Sequence, residues 1–129
     1  VCSSDLSRVG PTLENNGGVP LAEIATKKLF ENDKISVWEM ILEPGEAGGI
    51  HTHSHSYMFY VLEGATCEVL DKDGNSCGAL TMEPGFTLYF QKQGQQLVAE
   101  GDFKIPLTHS ARNIGKTRFR EILVESKNS

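Results

Sequence analysis

From residue 35 onward the chain is cut into short extended runs, each closed by a glycine or proline turn roughly every ten residues. Residues 35–43 alternate, with Trp38, Met40 and Leu42 on one face, and stop at Glu43-Pro44-Gly45. Residues 51–62 are extended and rich in Tyr, Phe and Val, and Glu63-Gly64 turns them. A strand over 66–70 leads into Asp71-Lys72-Asp73-Gly74-Asn75, a strong hairpin turn. Residues 80–82 run to Glu83-Pro84-Gly85, and 86–90 form another strand. Strands over 109–113 and 118–125 flank the turn Ile114-Gly115-Lys116-Thr117. Residues 91–106 read as an extra hairpin with arms at 96–99 and 103–105, serving as a lid over a barrel mouth or as a dimer contact. No long helix interrupts the series, which argues against parallel βαβ folds and leaves an antiparallel barrel or sandwich.

Residues 1–34 have a different texture. Gly10-Pro11 and Asn15-Asn16-Gly17-Gly18-Val19-Pro20 are turn signals, and 20–30 fits a short helix or an irregular arm with one strand. We read 1–34 as an N-terminal arm and 35–129 as one barrel domain. Residues 1–6 match what the end of a sequencing adapter encodes and are expected to be foreign to the native chain.

At 129 residues the chain is the size of one domain, long enough to bury a core without staples. Its 39% hydrophobic and 22% charged residues describe an ordinary globule. Twelve Lys+Arg against seventeen Asp+Glu give a net charge of −5, which lacks the basic footprint of a nucleic-acid binder and would be repelled by an anionic membrane. No apolar run reaches the about 20 residues that a membrane span needs, and no signal pattern opens the sequence. The expectation is a cytoplasmic protein with a small-molecule partner, and neither nucleic acid nor membrane. Cys2, Cys67 and Cys77 match no zinc or disulfide spacing and read as free structural thiols.

The four histidines carry the chemistry. His51, His53 and His55 stand at alternate positions, and His109 is distant. On an extended strand His51 and His53 share a face, which Tyr57 and Phe59 continue. Two imidazoles held side by side suit neutral donation to one divalent metal better than burial as two cations.

With its flanks, this pattern resembles the cupin family. The first cupin motif reads glycine, five residues, His-x-His, three or four residues, Glu, six residues, glycine. Gly45, His51, His53, Tyr57 and Gly64 keep these spacings, with Tyr57 in the glutamate position. The second motif ends His-x3-Asn, which His109 and Asn113 match. Its preceding glycine aligns best with Gly85, which makes 91–106 an insertion; the competing alignment uses Gly101. The resemblance covers about residues 35–125 and implies an all-β fold, a single-domain antiparallel β-barrel (double-stranded β-helix or jelly roll) with a metal at its open end.

Carried over residue by residue, the resemblance implies His51, His53 and His109 as ligands of a divalent transition metal. Fe(II) is favoured, with Mn, Ni, Cu or Zn as alternatives. A phenol, with an ordinary pKa about 10, is a poor metal ligand. Three neutral histidines would therefore leave one more unit of positive charge than the usual set, favouring a small polar or anionic substrate. His55 is an alternative fourth nitrogen ligand. Tyr57 is either a catalytic proton donor and acceptor or barrel packing. Trp38, Met40 and Phe59 are the candidate substrate-binding residues, and Cys67 and Val69 would join them inside the barrel. Arg112 should point away from His109 and Asn113. The leading expectation is a three-histidine Fe(II) dioxygenase, with a metal-dependent lyase, isomerase or epimerase, or a non-catalytic ligand-binding barrel, as alternatives. A homodimer whose arm covers an edge strand completes the expectation.

Overall fold

A computed structural model describes residues 24–128. The adapter-like residues, Cys2 and most of the arm lie outside them. Eleven strands follow in order: β1 (Lys27–Glu31), β2 (Ile35–Leu42), β3 (His51–Thr52), β4 (Tyr57–Glu63), β5 (Ala65–Asp71), β6 (Ser76–Met82), β7 (Thr87–Gln93), β8 (Gln96–Ala99), β9 (Phe103–Pro106), β10 (Thr108–Asn113) and β11 (Phe119–Ser126). One sheet runs β1-β2-β11-β4-β7-β8-β9 and the other β3-β10-β5-β6, and neighbouring strands within each pair antiparallel. Among the described residues there is no helix long and apolar enough to cross a membrane. The expected all-β double-stranded β-helix is the observed fold.

Alternation explains the core. Ser36, Trp38, Met40 and Leu42 are the buried residues of β2, and Phe119, Glu121, Leu123 and Glu125 those of β11. Burying a large apolar side chain contributes about 1.5–3 kcal/mol, so the inward rows of Leu, Phe and Met hold the two sheets together. Both Glu-Pro-Gly turns are built alike. Gly45 and Gly85 take φ of 85° and 93°, and the N–H groups of Glu46 and Phe86 donate to the carbonyls of Glu43 and Glu83.

Three details differ from the sequence reading, and one decides between its alternatives. Residues 51–62 do not form one strand, because the chain leaves the small sheet after β3 and enters the large sheet at β4. Between them His53 N–H donates to Leu107 O (2.9 Å), and the Ser56 hydroxyl accepts from Lys92 N–H (2.9 Å). The segment before residue 35 supplies β1, which pairs with β2 as a strand rather than a helix. The extra hairpin is present as β8 and β9, but it extends the large sheet, and Phe103 and Ile105 turn inward as part of a wall. Cys67 is a buried free thiol, whereas Cys77 is disulfide-bonded and not to Cys67, which corrects the expectation of free thiols at Cys77.

Candidate metal centre

His109 on β10 lies directly across from His51 on β3, and His53 enters from the crossing segment just beyond. The three ring centroids are 4.8, 4.8 and 4.9 Å apart, and one nitrogen from each ring falls within 4.8 Å of the others. All three side chains are buried. Burial holds each imidazole below its ordinary pKa of 6.5, slightly offset at His51 by the Gly49 carbonyl and well below at His53 and His109. They are neutral rings, the form that binds metal.

The hydrogen bonds decide where the protons sit. His51 Nδ1 must donate to Gly49 O (2.9 Å) and His109 Nδ1 to Pro106 O (2.7 Å), because a carbonyl can only accept. Both Nε2 atoms therefore carry bare lone pairs. His51 Nε2 lies 3.1 Å from His53 Nε2, so without a cation His53 must place its proton on Nε2. That choice leaves His53 Nδ1 bare, and both it and Glu125 Oε2, 3.6 Å away, are buried without a hydrogen-bond partner. A cation among the three rings removes the conflict. His53 then moves its proton to Nδ1, facing the Glu125 carboxyl, and all three Nε2 atoms can donate inward. The residues present fit a divalent transition metal.

The other candidates are divided. Tyr57 is buried, stacks on His53 at 4.1 Å and packs against Phe90. Burial, then Glu121 and Glu125, push its hydroxyl well above pKa 10. Met40, Phe59, Cys67 and Val69 line the central cavity with the histidines, while Trp38 faces inward without lining it. The structure does not bring His55 into the three-histidine group; it lies near enough to Glu125 to offset part of the upward push that burial gives that carboxyl. Arg112 points outward and donates to Gly45 O (3.1 Å).

Sequence reasoning missed two glutamates. Glu121 and Glu125 are buried on the inward face of β11, and Glu121 lines the cavity. Burial raises Glu121 to about pKa 8 and raises Glu125 as well. Their signal was weak, because the two faces of β11 carry two apolar residues each: Phe119 and Leu123, or Ile122 and Val124.

A family model for the cupin domain matches residues 38–124. The chain belongs to the cupin family. A cupin domain from Bordetella pertussis Tohama I shares 16% identity and a TM-score of 0.58, with 82% of this chain and 99% of that one covered. An RmlC-like cupin with a double-stranded β-helix fold from Methanocaldococcus jannaschii shares 13% identity and a TM-score of 0.52, covering 78% and 76%. A conserved double-stranded β-helix protein from Klebsiella pneumoniae shares 19% identity and a TM-score of 0.52, covering 92% and 78%. At these identities the likeness is one of fold. Comparison with curated proteins finds no match. Within this cupin, the motif glutamate position holds Tyr57, while carboxyl groups reach the interior from β11.

Proposed function

We propose that this cupin is a metalloenzyme that holds one divalent transition metal through His51, His53 and His109, with an Fe(II) dioxygenase as the leading reaction class. The observation that carries the reading is the pair of Nε2 atoms 3.1 Å apart, with His51 Nδ1 already committed to a carbonyl. A divalent metal there would supply Lewis acidity and, as iron, redox chemistry with oxygen. The chain does the rest. Gly49 and Pro106 fix two rings, Glu125 stands ready for the proton of the third, and Tyr57 covers His53. The apolar walls exclude water from reacting groups. Lyase or isomerase chemistry would use the same three rings without oxygen.

Elemental mass spectrometry of tag-free protein purified without chelator tests the reading. Near-stoichiometric metal that disappears in a His51→Ala, His53→Ala double variant is expected. Iron supports the oxygenase class; zinc, nickel or copper moves the assignment to lyase or isomerase chemistry; no metal after reconstitution rejects the metalloenzyme.

We also propose a homodimer. The exposed edge strand β1 supports it, with Leu29 and Phe30 presented to solvent. Light scattering at micromolar concentration should give twice the chain mass, and a single-chain mass would refute it.

A further inference from the structure

Two cavities meet at His51. The chamber between the sheets measures about 60 Å³. A water molecule occupies about 30 Å³ in the liquid, so this chamber holds about two non-hydrogen atoms and is too small for most organic molecules. The second cavity, of about 240 Å³, lies where the end of β2 faces the loop before β3, with Ile24, Ala25 and Thr26 also in its wall. An engineered cavity of about 150 Å³ accepts benzene, so this side pocket takes a molecule of about eight non-hydrogen atoms. Its room comes from short side chains: Ala25, Ala47, Gly48, Gly49 and Ala111 all line it. Met40, His51 and Ala111 belong to the walls of both cavities. Met40 is unbranched, with three rotatable bonds, so it is the part of the shared wall that can swing aside.

Glu46 is the one charged side chain among the described residues that line the side pocket. Its Oε1 accepts from the Glu43 N–H (2.8 Å), and no group among the described residues hydrogen-bonds to its Oε2. The Thr26 hydroxyl is tied to the backbone of Ile41, whose N–H donates to it at 3.0 Å. His51 has no nitrogen to spare, because Nδ1 donates to Gly49 O and Nε2 faces His53 or a bound metal. The open side-chain atom is therefore a carboxylate oxygen, which can only accept. Ile24, Met40, Ile41 and Leu42 make the rest of the wall apolar. We propose that this side pocket binds the organic substrate, a neutral alcohol with an apolar body of about six carbons whose hydroxyl donates to Glu46. The inference rests on the metalloenzyme reading in taking His51 as part of the reacting centre, and it adds the place and the class of the substrate.

Cyclohexanol and cyclohexanone are the probes, equal in size, with a hydrogen-bond donor only on the alcohol. Protein with methyl-labelled methionine contains three reporters. Met40 lines the side pocket, Met82 lines the inner chamber but not the side pocket, and Met58 lines neither. Cyclohexanol should shift the Met40 methyl signal and spare Met82 and Met58, and cyclohexanone should bind about fivefold more weakly or worse. A Cβ added at Gly48 would meet Leu42 Cδ2 at 3.8 Å and Ala111 O at 4.0 Å, ordinary contacts with two residues of the pocket wall. Gly48→Leu should therefore fill the pocket and abolish the Met40 shift while metal content stays unchanged. Overturning results are no Met40 shift, a shift at Met82 as large as at Met40, cyclohexanone bound as tightly as cyclohexanol, or undiminished binding by the Leu variant. The two-probe titration of the unaltered protein needs no variant to fold. Metal content separates the two readings: stoichiometric metal without the Met40 shift sinks only this inference, whereas the Met40 shift in protein that takes up no metal sinks the metalloenzyme and leaves a binding pocket.

Discussion

Asn113 donates from Nδ2 to the carbonyls of Leu42 (2.9 Å) and Thr117 (2.7 Å) and accepts at Oδ1 from the Gly115 N–H (2.9 Å). It is fully buried, so the motif asparagine here ties β10 to the end of β2 and to the turn before β11. Asn113→Ala leaves the buried Leu42 carbonyl, the Thr117 carbonyl and the Gly115 N–H without these partners, which should cost about 2–3 kcal/mol in urea unfolding. Metal content of the folded fraction should stay unchanged, since Asn113 lies outside the histidine group. His109 and Asn113 were both legible from their spacing, but only the hydrogen bonds separate a ligand from a brace. Tyr57 was legible as the occupant of the glutamate position. Its stacking on His53 was not, because ring contact depends on how the chain bends between residues 53 and 56.

Between β4 and β5 the chain turns at Gly64, where an added Cβ would sit 2.4 Å from the backbone oxygen of Met82. Backbone cannot retreat as a flexible side chain can. Gly64→Ala should therefore destabilise the protein by about 1–3 kcal/mol, read as a lower urea midpoint with an unchanged slope. Gly45 carries no such crowding, and its role is the positive φ of the Glu-Pro-Gly turn. The strand rhythm, the hairpin at 71–75 and the arms of the extra hairpin could be read from turn residues and alternation, which are local signals. The break after β3 could not, because inward parity continues straight through it: His51, His53, Tyr57 and Phe59 are all buried. What separates β3 from β4 is pairing with Leu107 and Lys92, both distant in sequence.

Stability of the metal-free protein should pass through a maximum near pH 6.5, the ordinary histidine value. Below it the unfolded chain binds protons at His51, His53 and His109 that the folded interior resists, so stability falls as pH falls. The raised glutamates act the other way. The folded state keeps protons that the unfolded chain releases above 4.5, so stability falls as pH rises toward about 8 at Glu121. Each proton contributes a slope of about 1.4 kcal/mol per pH unit at most, and three histidines outweigh two glutamates on the acid side. Glu121→Gln should flatten the alkaline limb in urea titrations repeated across pH and steepen the acid limb between about 4.5 and 6.5, where the glutamate proton opposes the histidines. The sequence by itself determined the strand series, the shared face of His51 and His53, and His109 as their distant partner, because turn chemistry and two-residue alternation act within a few residues. Folding alone settled which face of β11 turns inward, and with it the Glu121 and Glu125 carboxyl groups, because β11 is nearly as apolar on one face as on the other and is oriented by β2 and β4 on either side.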